Sequence, residues 1–227
     1  MSALDREAGS AALVATVPAA IAALTGHPRT AAALLSLPIG VAAFFRDPDR
    51  APDTPEGAAQ LADEADVVVA PADGKVMHAG PAQAGVAPPG AWQQVSIFLS
   101  VFDVHINRTP YAGTVTEVTY RPGRWLAAYK FESATENERS EITIERMVNG
   151  RTRRIVFRQI VGLVARRVVT RVVPGQELAT GERIGLMKFG SRMDIFVPPG
   201  VTLQVAKGDR TVAGETVIAR WQPGGTP

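Results

Sequence analysis

Cysteine is absent from the 227 residues, and histidine occurs only three times. The first absence excludes disulfide frameworks, thiol nucleophiles and thiolate metal sites, and the second leaves too few ligands for a zinc centre. No metal site is expected, and any covalent catalysis must use oxygen or nitrogen groups. Charge is nearly balanced, at a formal +2. An isoelectric point near 9.2 and an arginine-rich middle make an anionic lipid or phosphate surface a fitting neighbour, and nothing in the pattern asks for nucleic acid. No internal repeat aligns, and there is no low-complexity tail.

Long hydrophobic runs are missing too. Residues 11–24 are apolar, Gly26, His27, Pro28 and Arg29 interrupt them, and residues 31–45 resume the pattern. Each run is shorter than the roughly 20 residues that span a bilayer as a helix. A cleaved secretory signal would want a basic start and a small-residue exit, whereas Asp5 offsets Arg6 and the second run ends in Phe44, Phe45 and Arg46. The expectation is a retained hydrophobic helical hairpin over residues 1–46. Its turn would dip into one leaflet while Arg46 and Arg50 stay at headgroup level.

Residues 47–66 are rich in Pro, Asp, Glu and Ala, and read as a linker and lead-in. The length then suits a single domain, residues 67–227, with a proper core. Its segments are short, β-branched and bounded by turn residues: 67–70, 95–100, 113–120, 141–147, 154–164, 195–197, 202–205 and 217–221. Only 125–132 looks helical. The fold expected is mainly β, a barrel-sandwich with minor helix, and the turns near 70–76 and 173–184 suggest the lipoyl and biotinyl carrier type.

Four segments carry chemistry. They are Ala-Pro-Ala-Asp-Gly-Lys-Val at 70–76, Phe-Leu-Ser-Val-Phe-Asp-Val-His-Ile-Asn-Arg-Thr-Pro at 98–110, Glu-Asn-Glu-Arg-Ser at 136–140 and Met-Lys-Phe-Gly-Ser-Arg-Met-Asp at 187–194. In this order and spacing they resemble the pyruvoyl-dependent phosphatidylserine decarboxylase proenzyme family, in particular its short form. The likeness runs from the apolar hairpin almost to the C-terminus.

A serine after a glycine can bring its hydroxyl to the preceding carbonyl, because glycine tolerates strained backbone. The resemblance implies that Ser191 attacks the Gly190 carbonyl, that an N-to-O acyl shift and β-elimination follow, and that Ser191 becomes a covalently bound pyruvoyl group. Residues 1–190 would then be the β chain and 191–227 the α chain, paired as a heterodimer or a higher oligomer of it. The pyruvoyl ketone would form a Schiff base with membrane phosphatidylserine, release CO2 and give phosphatidylethanolamine. A membrane location with the catalytic domain on the cytoplasmic side is implied as well.

A serine hydroxyl needs a base, and the base an orienting group. His105 is the best base, since His27 lies in the hydrophobic turn and His78 in no catalytic setting. Asp73 is the orienting carboxylate that the resemblance implies, with Asp103 second. Longer family members have a His-x-x-His pair here, and in this chain the second position is Arg108. Arg108, Arg139, Lys188 and Arg192 are candidate partners for the substrate phosphate. Two rival readings remain. A lipoyl or biotinyl carrier would use Met187-Lys188, and a pyruvoyl enzyme for another serine lipid, such as archaetidylserine, would use the same residues.

Overall fold

A computed structural model of the chain describes residues 3–5, 8–164, 167–188 and 190–222. They fall into two compact units, residues 1–49 and residues 50–227.

In the first unit, strand β1 (Ala3–Leu4) is followed by helices α1 (Ala8–Leu24), α2 (Pro28–Leu34) and α3 (Ser36–Phe44), and then by β2 (Arg46–Asp47). Both α2 and α3 pack along α1, and β1 pairs antiparallel with β2 at the base. The turn after α1 uses Gly26 at φ +80°. Pro28 opens α2 at its first position, where a missing N–H costs nothing. The run read as one apolar segment, 31–45, breaks around Leu35. Pro38, three residues on, has no N–H to give to the carbonyl of Leu34 and crowds it. Among the described residues no helix is long and apolar enough to cross a membrane.

The second unit starts with a 3-10 turn (Ala51–Asp53) and helix α4 (Pro55–Asp63). Thr54 caps α4 by accepting the Gly57 N–H at 3.1 Å, so half of the stretch read as a linker is ordered helix. Then follow β3 (Val67–Val69), β4 (Gly74–Pro81), β5 (Gln93–Leu99), β6 (Ile106–Arg108), β7 (Gly113–Arg121), α5 (Ser133–Glu136), β8 (Arg139–Val148) and β9 (Arg151–Ile160). The chain ends with β10 (Val168–Thr170), β11 (Glu177–Leu178), β12 (Arg183–Met187), β13 (Ser191–Val197), β14 (Val201–Leu203), β15 (Arg210–Thr211) and β16 (Val217–Trp221). The unit is mainly β with minor helix.

An eight-stranded antiparallel sheet, in the order β11-β7-β8-β9-β13-β5-β4-β15, is accompanied by two three-stranded sheets, β10-β12-β6 and β14-β16-β3. Asn149 and Gly150, both at positive φ, make the two-residue turn that joins β8 to β9. Register shifts at Val76/His78 and Val115/Glu117 bend the large sheet. Its inner face supplies Ile97, Leu99, Ile142, Ile144, Phe157, Met193 and Ile195 to one core, joined by Val68, Tyr111 and Trp221. Val86 and Ala134 pack against Phe196 and Val156 on the outer face. Strand β13 is therefore buried on both sides.

The helix expected over 125–132 does not form, and only Ser133–Glu136 is helical. Asn137 explains this: its side chain accepts the Leu126 N–H and donates to the Leu126 carbonyl, occupying the groups that a helix there would need.

Candidate active site

Strand β12 belongs to a three-stranded sheet and β13 to the middle of the large one, so residues 188–190 carry the chain from one sheet to the other. Phe189 lies outside the described residues. Gly190 holds φ +67°, a left-handed conformation that glycine adopts without penalty, while the place of a Cβ there is empty. Conformation, rather than space, requires this glycine. Ser191 is the first residue of β13 and is completely buried. Its Oγ has no hydrogen-bond partner. Leaving a buried hydroxyl unpaired costs about 1–3 kcal/mol, and such exceptions need a reason.

His105 is buried just before β6. Its Nδ1 lies 2.9 Å from the Asp103 carbonyl oxygen, and its Nε2 accepts the Gly190 N–H at 3.3 Å. A carbonyl can only accept and an N–H can only donate, so these two bonds place the proton on Nδ1 and the lone pair on Nε2. The imidazole thus meets the Gly190–Ser191 junction as a neutral base.

Asp103 orients this ring through its main chain. Its carboxylate is engaged elsewhere, accepting from Ser100 N–H and hydroxyl at 2.8 and 2.7 Å and from Arg210 at 2.9 Å. The bonds described for Asp73 go to Arg50 at 2.7 Å and to the Ala213 N–H at 2.8 Å, pinning the turn that leads into β4.

The four cations scatter. Arg108 is buried and forms a bidentate pair with Asp53 at 3.0 and 2.8 Å, and it also donates to the Gly181 carbonyl. Arg183 approaches the same carboxylate at 2.8 and 3.1 Å. Burial alone would raise the Asp53 pKa. The hydrogen bonds from Arg108 and the Arg50 N–H, with the charges of Arg108 and Arg183, outweigh it and hold the pKa below the ordinary value. Arg192 follows Ser191 directly and therefore points to the opposite face of β13. There it pairs with buried Asp194 at 2.6 Å and reaches Ser96 and Gln83. Arg139 donates to the Thr135 and Asn137 carbonyls. Lys188 is half-buried, two residues before Gly190. Met187 before it is buried at the end of β12, which is not the exposed hairpin tip that a carrier lysine requires.

Residues that sequence reasoning passed over complete the site. A Cβ on Gly162 would stand 1.7 Å from the Gly190 carbonyl oxygen, so only a glycine here lets that carbonyl come close. Asn107, two residues beyond His105, accepts from Gln159 at 2.8 Å, and Gln159 accepts from Thr170 at 2.8 Å. Gln159 pairs across the sheet with Met193 and with Ser140. Asn107 Nδ2 and Ser140 Oγ have no partner, like Ser191 Oγ. No spacing rule announces these residues. The only sequence signal was a Gln and a Gly in an otherwise apolar strand end, Gln159 to Gly162.

A profile described as phosphatidylserine decarboxylase matches residues 39–219. The chain is 43% identical to a phosphatidylserine decarboxylase proenzyme of Solibacter usitatus over 209 residues, 92% of each chain. It is 41% identical to the proenzyme of Rhodospirillum rubrum over 82% of this chain and 75% of that one. For the proenzyme of Nitrobacter winogradskyi the identity is 42%, over 82% and 72%. With a buried, unpartnered serine hydroxyl behind a left-handed glycine and a neutral imidazole on that glycine's N–H, the chain belongs to the phosphatidylserine decarboxylase family.

Proposed function

We propose that the chain is a phosphatidylserine decarboxylase proenzyme that cuts itself between Gly190 and Ser191 and uses the pyruvoyl group made from Ser191. The observation that carries this is the junction: a hydroxyl with no partner, a carbonyl admitted by Gly162, and His105 Nε2 on the N–H of Gly190.

The chemistry follows from these atoms. His105 takes the Ser191 hydroxyl proton, Oγ bonds to the Gly190 carbonyl carbon, and the C–N bond breaks as the imidazolium gives that proton to the departing Ser191 nitrogen, leaving an ester and a free amine. Loss of the Ser191 Cα proton then expels the Gly190 carboxylate and leaves a dehydroalanine, which water converts to the ketone and ammonia. The pyruvoyl group fits because it is no larger than the serine that produces it, so the packing around β13 need not change. When present, the group would supply an electrophilic ketone for the serine amine of the lipid and an electron sink for decarboxylation. His105, beside the Gly190–Ser191 junction, would return a proton to the carbon that lost CO2. Asp103 holds the imidazole through its carbonyl, and Asp73 supports the site by bracing the turn before β4. Lys188 and Arg139 are the cations proposed to meet the phosphodiester, since Arg108 and Arg192 serve Asp53 and Asp194.

The α1–α3 unit is read as the membrane-associated hairpin, because Leu13, Val14, Leu24 and Ile39 stand exposed on it. The mature form is a β/α heterodimer with its catalytic unit on the cytoplasmic face. Purified protein given phosphatidylserine in detergent micelles should release CO2 and accumulate phosphatidylethanolamine. Turnover by Ser191→Ala would overturn this reading.

A further inference from the structure

Three surface segments of the second unit converge on the Gly190–Ser191 bond, and all of them expose large apolar side chains. The first is the turn after β5: Leu99 is the register partner of Ser191, and three residues on Phe102 is 84% exposed. The second follows Gly162, whose missing Cβ accommodates the Gly190 carbonyl; Leu163 and Val164 are 66% and 62% exposed. The third is the irregular stretch 125–131. Ala128 lies 3.3 Å from that same missing Cβ, and Tyr129 packs edge-on against Phe98, the register partner of Arg192. Within it Trp125, Tyr129 and Phe131 are 46%, 65% and 50% exposed.

The second and third segments are tied to each other. Asn137 donates to the Leu126 and Val161 carbonyls, and Glu138 accepts from Trp125 Nε1 at 3.2 Å and from the Val168 N–H at 3.2 Å. Such bonding makes the exposed side chains a fixed feature rather than frayed ends. Lys130 and Arg167 stand exposed among them.

We infer that this rim is a membrane-docking surface of the catalytic unit itself, which enters the interfacial layer of an anionic bilayer and delivers the lipid headgroup to Ser191. The inference rests on the proposed lipid substrate. Ser191 is fully buried, so a headgroup tethered to its bilayer can only arrive past the segments that cover the bond. The composition suits that surface: indole and phenol rings favour the headgroup level, aliphatic and phenyl side chains go deeper, and Lys and Arg reach back to lipid phosphates.

The test uses full-length, self-cleaved enzyme carrying Phe102→Glu together with Leu163→Glu, two exposed sites. Activity is measured on phosphatidylserine in anionic vesicles and on a short-chain phosphatidylserine below its micelle concentration. Vesicle binding by flotation and solution mass are measured alongside. Docking predicts normal self-cleavage, short-chain activity within about twofold of the parent, flotation retained through the α1–α3 unit, vesicle activity down by about tenfold or more, and an unchanged mass. Equal losses on both substrates would show that the rim is part of the catalytic pocket and would overturn the inference. Undiminished turnover on vesicles would overturn it too, as would a fall in solution mass, which would make the rim an interface between copies. Failure of the parent enzyme on the short-chain lipid would instead strike at the proposed function.

Discussion

The carbonyl oxygen of Gly190 lies 1.7 Å from the point where a Cβ on Gly162 would stand. Two glycines at one bond thus have different jobs, since Gly190 supplies a left-handed φ with free space around it and Gly162 supplies only room. Gly162→Ala must push the scissile carbonyl out of place. It should slow self-cleavage by about a hundredfold or more, because a displacement near 1 Å costs that much. Gly190→Ala pays only the left-handed strain of about 1–2 kcal/mol and should be the milder lesion. Appearance of the smaller chain over time, followed on a gel, orders the two variants, and a reversed order would refute the steric argument.

His105→Ala removes the lone pair at the junction and should slow self-cleavage by about 10²–10⁴. Asp73→Asn keeps the Ala213 contact and weakens only the pair with Arg50, so its effect should be within about tenfold. Equal losses in the two variants would mean that Asp73 acts on the histidine directly.

Arg192 was a candidate for the lipid phosphate, and its setting turns it into a stability residue. Arg192→Ala strands the buried Asp194 carboxylate, one oxygen of which already lacks a partner, and should cost about 3–5 kcal/mol in denaturant melts. Combining Arg192→Met with Asp194→Leu should recover most of that. A normal melt and a raised KM in Arg192→Ala would restore the phosphate role.

The Asp53 clamp gives a pH signature. Its carboxyl is held below the ordinary value of about 3.9, so the clamp's contribution is complete above that pH and is lost as pH falls through the lowered value. Denaturant midpoints taken from about pH 6 down to about pH 3 should fall on the acid side, and Asp53→Asn should be less stable at pH 6 with a flatter acid limb.

Much of this was legible from residue types. Alternating β-branched segments such as 113–120 and 141–147 announced strands because one face of each meets the core, and the Gly-Ser step and Phe-Asp-Val-His segment are the two that the structure brings together, through the Gly190 N–H and His105 Nε2. Strand β13 was read only at 195–197. Its first half carries Arg192 and Asp194, and charged residues read as surface until each is seen to neutralise the other inside. The burial of Arg108 was hidden for the same reason, since its partner Asp53 lies 55 residues away. The orienting carbonyl of Asp103 and the missing Cβ of Gly162 are main-chain facts, which side-chain patterns cannot carry.

The most direct measurement is the intact mass of the purified protein beside that of Ser191→Ala. Self-cleavage predicts two pieces from the parent, residues 1–190 and residues 191–227, the smaller with a ketoacyl group in place of its amino terminus, and a single whole chain from the variant. A parent chain that stays whole, or a variant that still divides at this bond, would contradict the assignment of Ser191 as nucleophile and cofactor source.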